Sequence, residues 1–242
     1  MAVPRGPPVA PQLFMGIVSF LPALAVVYVV LGAREEFFRE QAMFVAMIGG
    51  LVLGLLVAIA ERFILLDAGI LVVVIAFPLV ETMAKTMLVG LPRFRDEDET
   101  ILLGGAAGAM MAAMLMVFYV QFLTDAPLTW QLLAKVAAAA IGLTGAHFVS
   151  GLRLGLGPAR GSIVSGFFPS VLWLLPAHVL LGLLGLVPTE QGIGVVPLEG
   201  EWLTAIPLAL YGVVVFVWKT PAYLEKSLPR HERRELRDEG LF

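Results

Sequence analysis

The sequence predicts an all-α membrane protein, a bundle of about seven helices that cross the lipid bilayer. Of its 242 residues, 59% are hydrophobic and only 14% are charged, and the mean hydropathy is +0.92. Soluble domains average about 45–50% apolar and about 25% charged residues. A soluble fold of this length leaves too much surface in water to hide such an excess of apolar side chains. A bilayer accommodates it.

Seven apolar segments are long enough to cross a bilayer, which takes about 20 residues. Charged or Pro- and Gly-rich stretches separate most of them, and the join at 61–67 is the tightest. The predicted spans are 12–32, 42–60, 66–91, 101–124, 129–152, 162–187 and 202–219. The chain is thus divided into an extracytoplasmic segment 1–11, a transmembrane domain 12–219 and a charged cytoplasmic tail 220–242.

The distribution of Lys and Arg predicts the orientation, because cytoplasmic loops carry an excess of these residues. With seven spans and the N-terminus outside, most basic residues lie on the cytoplasmic side: Arg34, Arg39, Arg93, Arg95, Arg153, Arg160, Lys219, Lys226, Arg230, Arg233, Arg234 and Arg237. An even number of spans destroys this asymmetry. We therefore expect an N-out, C-in protein of the cell membrane, surrounded by lipids.

Cysteine content and net charge exclude several classes of protein. The chain has no cysteine, so disulfides, thiolate metal sites and thiol nucleophiles are excluded. The formal charge of -3 gives no reason to expect a nucleic-acid partner.

Ionisable residues within the predicted spans are the candidates for function, since such groups are costly and rare in a bilayer. They are Glu81, Lys85, Lys135, His147 and His178. Two of the chain's three histidines are among them. Lys135 begins a span, where it can extend to the interface.

Glu81 and Lys85 lie four residues apart and therefore on one helix face. Either they form an ion pair that neutralises both charges and lets the helix insert into the bilayer, or Glu81 is a general base whose properties the Lys85 ammonium adjusts. Pro78 precedes them and frees a backbone carbonyl.

His147 and His178 lie in the fifth and sixth spans. A membrane histidine often only bonds a neighbouring helix, but two of them with a carboxylate can bind a metal such as zinc or activate water. Straight helices separate them in depth, and bends at Pro169 and Pro176 can reduce that separation.

Four short stretches, in order, resemble the motifs of PrsW-type membrane proteases, which belong to a superfamily with the CAAX prenyl endopeptidases and bacteriocin-processing proteins. The segment 77–85 is similar to the family's Pro-x-x-Glu-Glu-x-x-Lys helix, and 104–108 leads to the aromatic stretch 118–120. The segments 147–155 and 176–178 resemble its two histidine regions. The resemblance implies an intramembrane endopeptidase.

The resemblance also implies roles for individual residues. Glu81 is then the general base, His147 and His178 stabilise the transition state or join Glu81 as metal ligands, and Lys85 orients Glu81. Substrates are then membrane-spanning helices or the segments beside them.

The family pattern is incomplete in this chain. Thr82 occupies the position of the family's second Glu, and Leu115 and Met116 occupy the positions of its Glu-Asn pair. Gly182 occupies the position of the Asn that follows the final His. An alternative is therefore a degenerate homologue that acts as a non-catalytic scaffold or accessory subunit of a membrane complex. A small-solute transporter, with Glu81 and the histidines as a proton relay, is less well supported.

Overall fold

The computed structural model describes residues 9–32, 39–65, 70–94, 99–120, 129–184 and 202–227. Over these residues the chain is helical, without a strand. The helices are α1 (Val9–Val26), α2 (Glu40–Leu65), α3 (Ile70–Val89), α4 (Glu99–Val120), α5 (Trp130–Gly155), α6 (Ile163–Leu184) and α7 (Trp202–Lys226). A π-helical turn, Val27–Leu31, extends α1.

Within the described residues, six helices are long and apolar enough to cross a membrane: α1 with its extension, α2, α4, α5, α6 and α7. Their outward faces carry large apolar side chains, as lipid-facing surfaces do. The predicted helical bundle is thereby confirmed, and the chain has the character of an integral membrane protein.

Two helices end five or more residues later than the predicted spans. α2 continues through the join at 61–67 as far as Leu65, and α7 continues past 219 to Lys226 with Pro221 inside it. The predictions ended both spans at charged residues, because charges mark the limit of the hydrocarbon layer. A helix continues beyond that limit as long as its backbone bonds are satisfied. The terminal segments 1–8 and 228–242 lie outside the described residues.

α4 is the centre of the bundle. It is buried along almost its whole length, between α5 on one side and α1 and α2 on the other. α5 in turn packs against α6 and α7, and α3 packs mainly against α6. Residues from α3, α5 and α6 are therefore able to meet in the interior.

Glycines set the close approach of α4 and α5. A β-carbon on Gly104 would meet the backbone of Gly151, and one on Gly108 would meet the backbone of His147. Gly50 and Gly54 of α2 lie in the same way against the α4 backbone. These two GxxxG pairs, Gly50/Gly54 and Gly104/Gly108, therefore pack within the chain, where small residues let backbones come together.

Candidate functional site: a buried Glu-His-His cluster

Three of the predicted site residues meet in the interior, each from a different helix. Glu81 of α3, His147 of α5 and His178 of α6 are all fully buried. His178 Nε2 lies 3.0 Å from Glu81 Oε1, and His147 Nε2 lies 3.4 Å from Glu81 Oε2. One ligand atom from each residue falls within 4.8 Å of the others.

The geometry of antiparallel helices explains how the two histidines meet. α5 and α6 are joined by a short connection that contains the turn Pro158–Arg160, so the two helices run in opposite directions. Side chains on a helix lean toward its own N-terminus. His147 and His178 therefore lean toward each other, and their ring centroids lie 6.2 Å apart. The predicted separation of His147 and His178 in depth considered only their positions along straight helices and left out this lean of the side chains.

A backbone contact fixes the orientation of His178. Its Nδ1 lies 3.0 Å from the carbonyl oxygen of Leu174, one turn earlier in α6. Because a carbonyl only accepts hydrogen bonds, Nδ1 carries the proton. Nε2 is thus the ring nitrogen that faces Glu81, as in metal-binding histidines whose other nitrogen is held by a hydrogen bond.

Several polar atoms of the cluster have no hydrogen-bond partner in the described part of the chain. They are Glu81 Oε2 and both ring nitrogens of His147. Buried polar atoms are normally bonded, and those that are not often mark a place for water, an ion or a substrate. The cluster therefore retains the capacity to bind a small polar group.

Sequence reasoning missed a second carboxylate, Glu61. It was placed in the predicted join after the second span, but α2 continues through it and buries it fully. Glu61 Oε2 accepts a hydrogen bond of 2.6 Å from the Tyr119 hydroxyl, and its carboxyl group faces that of Glu81. Two buried carboxyl groups close enough to interact electrostatically are stabilised by a proton or a cation between them. In the sequence, Glu61 is marked only by being an acidic residue at the end of an apolar run.

We expect Tyr119→Phe to destabilise the protein by about 1.5–3 kcal/mol, because it removes a donor from a buried carboxyl group. Tyr211→Phe is the matched control, since the Tyr211 hydroxyl donates to the Trp173 carbonyl at 2.7 Å. Its loss should be about 1 kcal/mol. Thermal unfolding in detergent micelles measures both. An equal or smaller loss for Tyr119→Phe would contradict the role of the Glu61 bond.

Lys85 lies beside the cluster and bonds elsewhere. Its ammonium is buried and donates to Ser150 Oγ on α5 at 2.9 Å. Ser170 of α6 in turn donates to the Ser150 carbonyl at 2.9 Å. The hydrogen bond of Lys85 thus goes to another helix and not to Glu81 within α3, because Ser150 lies one turn beyond His147 on the face of α5 that meets α3. Lys85 ties α3 to α5 and α6 next to Glu81.

The donor set fits a zinc ion. Two imidazoles and one carboxylate are the protein ligands of a common type of catalytic zinc site. Zn–N and Zn–O bonds of about 2.0–2.1 Å put neighbouring ligand atoms close to the separations of 3.0 and 3.4 Å observed here. Glu81, His147 and His178 would hold the ion. It would polarise a bound water and a substrate carbonyl.

We expect the purified chain to bind one equivalent of zinc, and His178→Gln or His147→Gln to weaken that binding by about 100-fold or more. His231→Gln is the matched control, because His231 lies in the predicted tail. Intact-protein mass spectrometry and zinc titration measure the effect. Loss of binding in the His231 variant with retention in the other two would contradict the site.

Comparisons with models of known protein families, with curated proteins and with solved structures found no match. The resemblance to PrsW-type proteases therefore rests on the short motifs of the sequence alone. The class of site that the geometry defines is a buried cluster of one carboxylate and two histidines in a helical membrane protein.

Proposed function

We propose that this protein is an intramembrane hydrolase, an endopeptidase of the PrsW-like kind that cleaves membrane-spanning segments or the segments beside them. One observation carries the proposal. Three helices place Glu81, His147 and His178 against one another in a fully buried position. Such groups are expensive in a membrane interior and are associated there with function.

Each member of the cluster has a task in this proposal. Glu81 accepts a proton from the attacking water, whose oxygen forms a bond to the carbonyl carbon of the scissile peptide. His147 stabilises the oxyanion that develops on the carbonyl oxygen. His178, oriented by the Leu174 carbonyl, holds the Glu81 carboxyl group in place. The proton then moves from Glu81 to the leaving nitrogen as the C–N bond breaks.

We propose further that the protein lies in the plasma membrane and crosses it seven times. Its N-terminus is then outside and its C-terminus in the cytoplasm. α3 is then the seventh span, in addition to the six apolar helices. The excess of Lys and Arg on one side supports this orientation. The cluster then lies within the membrane.

A non-catalytic scaffold is the second candidate, and buried apolar residues favour it. Leu115 and Met116 lie in the apolar core, and they stand where the resembled family has polar residues. In a scaffold these residues would only join neighbouring helices, and that role leaves Glu81 Oε2 and both ring nitrogens of His147 without a hydrogen-bond partner among the described residues. The cluster therefore supports the hydrolase proposal over the scaffold.

Cleavage of a membrane reporter tests the proposal. The full chain is reconstituted in liposomes with a set of single-span reporters that differ in the sequence of the span. Mass spectrometry then locates any cut. We expect a cut inside or beside the span of at least one reporter, absent with a variant in which Glu81, His147 and His178 are all replaced. No cutting of any reporter supports the scaffold instead, and equal cutting by that variant shows that the cluster is not the active site.

A further inference from the structure

A cluster of basic side chains lies at one end of the bundle, where α5, α6 and α7 come together. We call Arg153, Arg160, Lys219 and Lys226 the basic end. Arg153 lies in the last turn of α5, Arg160 ends the turn that follows, and Lys226 ends α7. The positive charges of Arg153, Arg160 and Lys219 repel that of Lys226. Among the groups that act on Lys226, a single carboxylate, that of Glu225, attracts it. Among the described residues, positive charge therefore exceeds negative charge at the basic end.

Arg153 holds part of this charge in a fixed position. Its Nη2 donates to the carbonyl oxygen of Ser165 at 2.8 Å, in the first turn of α6. Its Nη1 is buried and has no hydrogen-bond partner among the described residues. The hydrogen bond from Nη2 thus fixes the position of a guanidinium, a group of the kind that binds oxyanions.

Aromatic side chains surround the lysines of the basic end. Lys219 Nζ lies 3.3 Å from the centroid of the Trp218 ring and 5.6 Å from that of Trp173. Lys226 Nζ lies 5.4 Å from the ring of Tyr223. Trp and Tyr are enriched at the level of the lipid headgroups. The basic end therefore lies at that level if the chain crosses the membrane as the apolar helices indicate.

Exposed apolar side chains continue from the basic end into the bundle surface. Trp218 and Val217 are each 64% exposed and Leu172 is 63% exposed. A ligand that spans both regions has an anionic head and an apolar tail. A free phosphate ion uses only the first region, whereas an anionic phospholipid uses both.

We propose that the basic end binds the phosphate headgroup of an anionic phospholipid, with the acyl chains against the exposed apolar faces of α6 and α7. The proposal does not depend on hydrolysis, because Arg153 lies six residues from His147, about 9 Å along α5. Basic pockets between membrane helices on the cytoplasmic side bind lipid headgroups in this way. The predicted orientation places the basic end on that side.

Lipid titration of the full chain in detergent tests the proposal. Native mass spectrometry counts the molecules of short-chain phosphatidylglycerol or phosphatidylcholine that bind to the wild type and to R160Q/K226Q. That double variant leaves the Arg153–Ser165 bond in place. K135Q is the matched control, since Lys135 lies about 27 Å from Arg153 along α5.

We expect the wild type and K135Q to prefer phosphatidylglycerol, and R160Q/K226Q to bind it about 30-fold more weakly, at about fivefold per charge removed. Inorganic phosphate at equal concentration should leave the lipid bound. Equal binding of phosphatidylglycerol by R160Q/K226Q would overturn the proposal. So would displacement of the lipid by inorganic phosphate, which would identify the basic end as a site for the free ion.

Discussion

Replacement of Glu81 by glutamine is expected to lower the rate of reporter cleavage by about 10²–10⁴-fold, because the amide is unable to accept the proton of the attacking water. The fold should survive this change. His178 Nδ1 donates to the Leu174 carbonyl, and a glutamine amide at position 81 has both a donor and an acceptor with which to meet His178 Nε2. The variant therefore keeps the contact with His178 and loses the group that accepts the proton.

Initial rates of reporter cleavage in liposomes measure this effect, with thermal unfolding as the check that the variant is folded. Glu99→Gln is the matched control, since Glu99 pairs with Arg39 at 3.1 Å near the start of α4, outside the cluster. Its rate should stay at the wild-type value. A folded Glu81→Gln variant that cleaves the reporter at the wild-type rate would show that Glu81 is not the base.

Gly108→Val is expected to have the largest effect on the structure. A β-carbon at position 108 meets the backbone carbonyl of His147, and backbone atoms are unable to rotate away as the end of a side chain does. α4 then has to separate from α5, which carries His147. Overpacking of this kind costs about 1–3 kcal/mol or more, and we expect zinc binding to fall together with stability.

Gly16→Val is the matched control for this substitution. Both glycines lie inside helices, so the cost of a β-branched side chain to the helix itself is similar. A β-carbon on Gly16 meets nothing within 4 Å. Thermal unfolding and zinc titration of both variants give the comparison. Equal stability of the two would contradict the close approach of α4 and α5.

The helical class followed from composition and from the length of the apolar segments. These signals are strong because a bilayer requires a minimum length and a closed set of backbone hydrogen bonds. The ends of α2 and α7 were harder to place, because charged residues such as Glu61 and Lys219 mark the limit of the hydrocarbon layer without ending a helix. The number of spans and their orientation stay predictions.

Candidate site residues were recognisable because an ionisable side chain is conspicuous in an apolar segment. Glu81, His147 and His178 share that property, and the structure brings them together. Lys85 shares it as well, yet it bonds to Ser150, because spacing along one helix does not reveal the partners that another helix offers. Glu61 lacked the signal, since its position at the end of an apolar run is also typical of a loop.

Hydrolysis of the reporter in water enriched in oxygen-18 tests the central claim, that the cluster of Glu81, His147 and His178 activates water inside a membrane. Mass spectrometry of the fragments reads the label. We predict that wild-type protein places one solvent oxygen in the new carboxyl group at each cut, and that the variant lacking all three residues produces no labelled fragment. An intact reporter, or labelled fragments in equal amount from that variant, would contradict the claim.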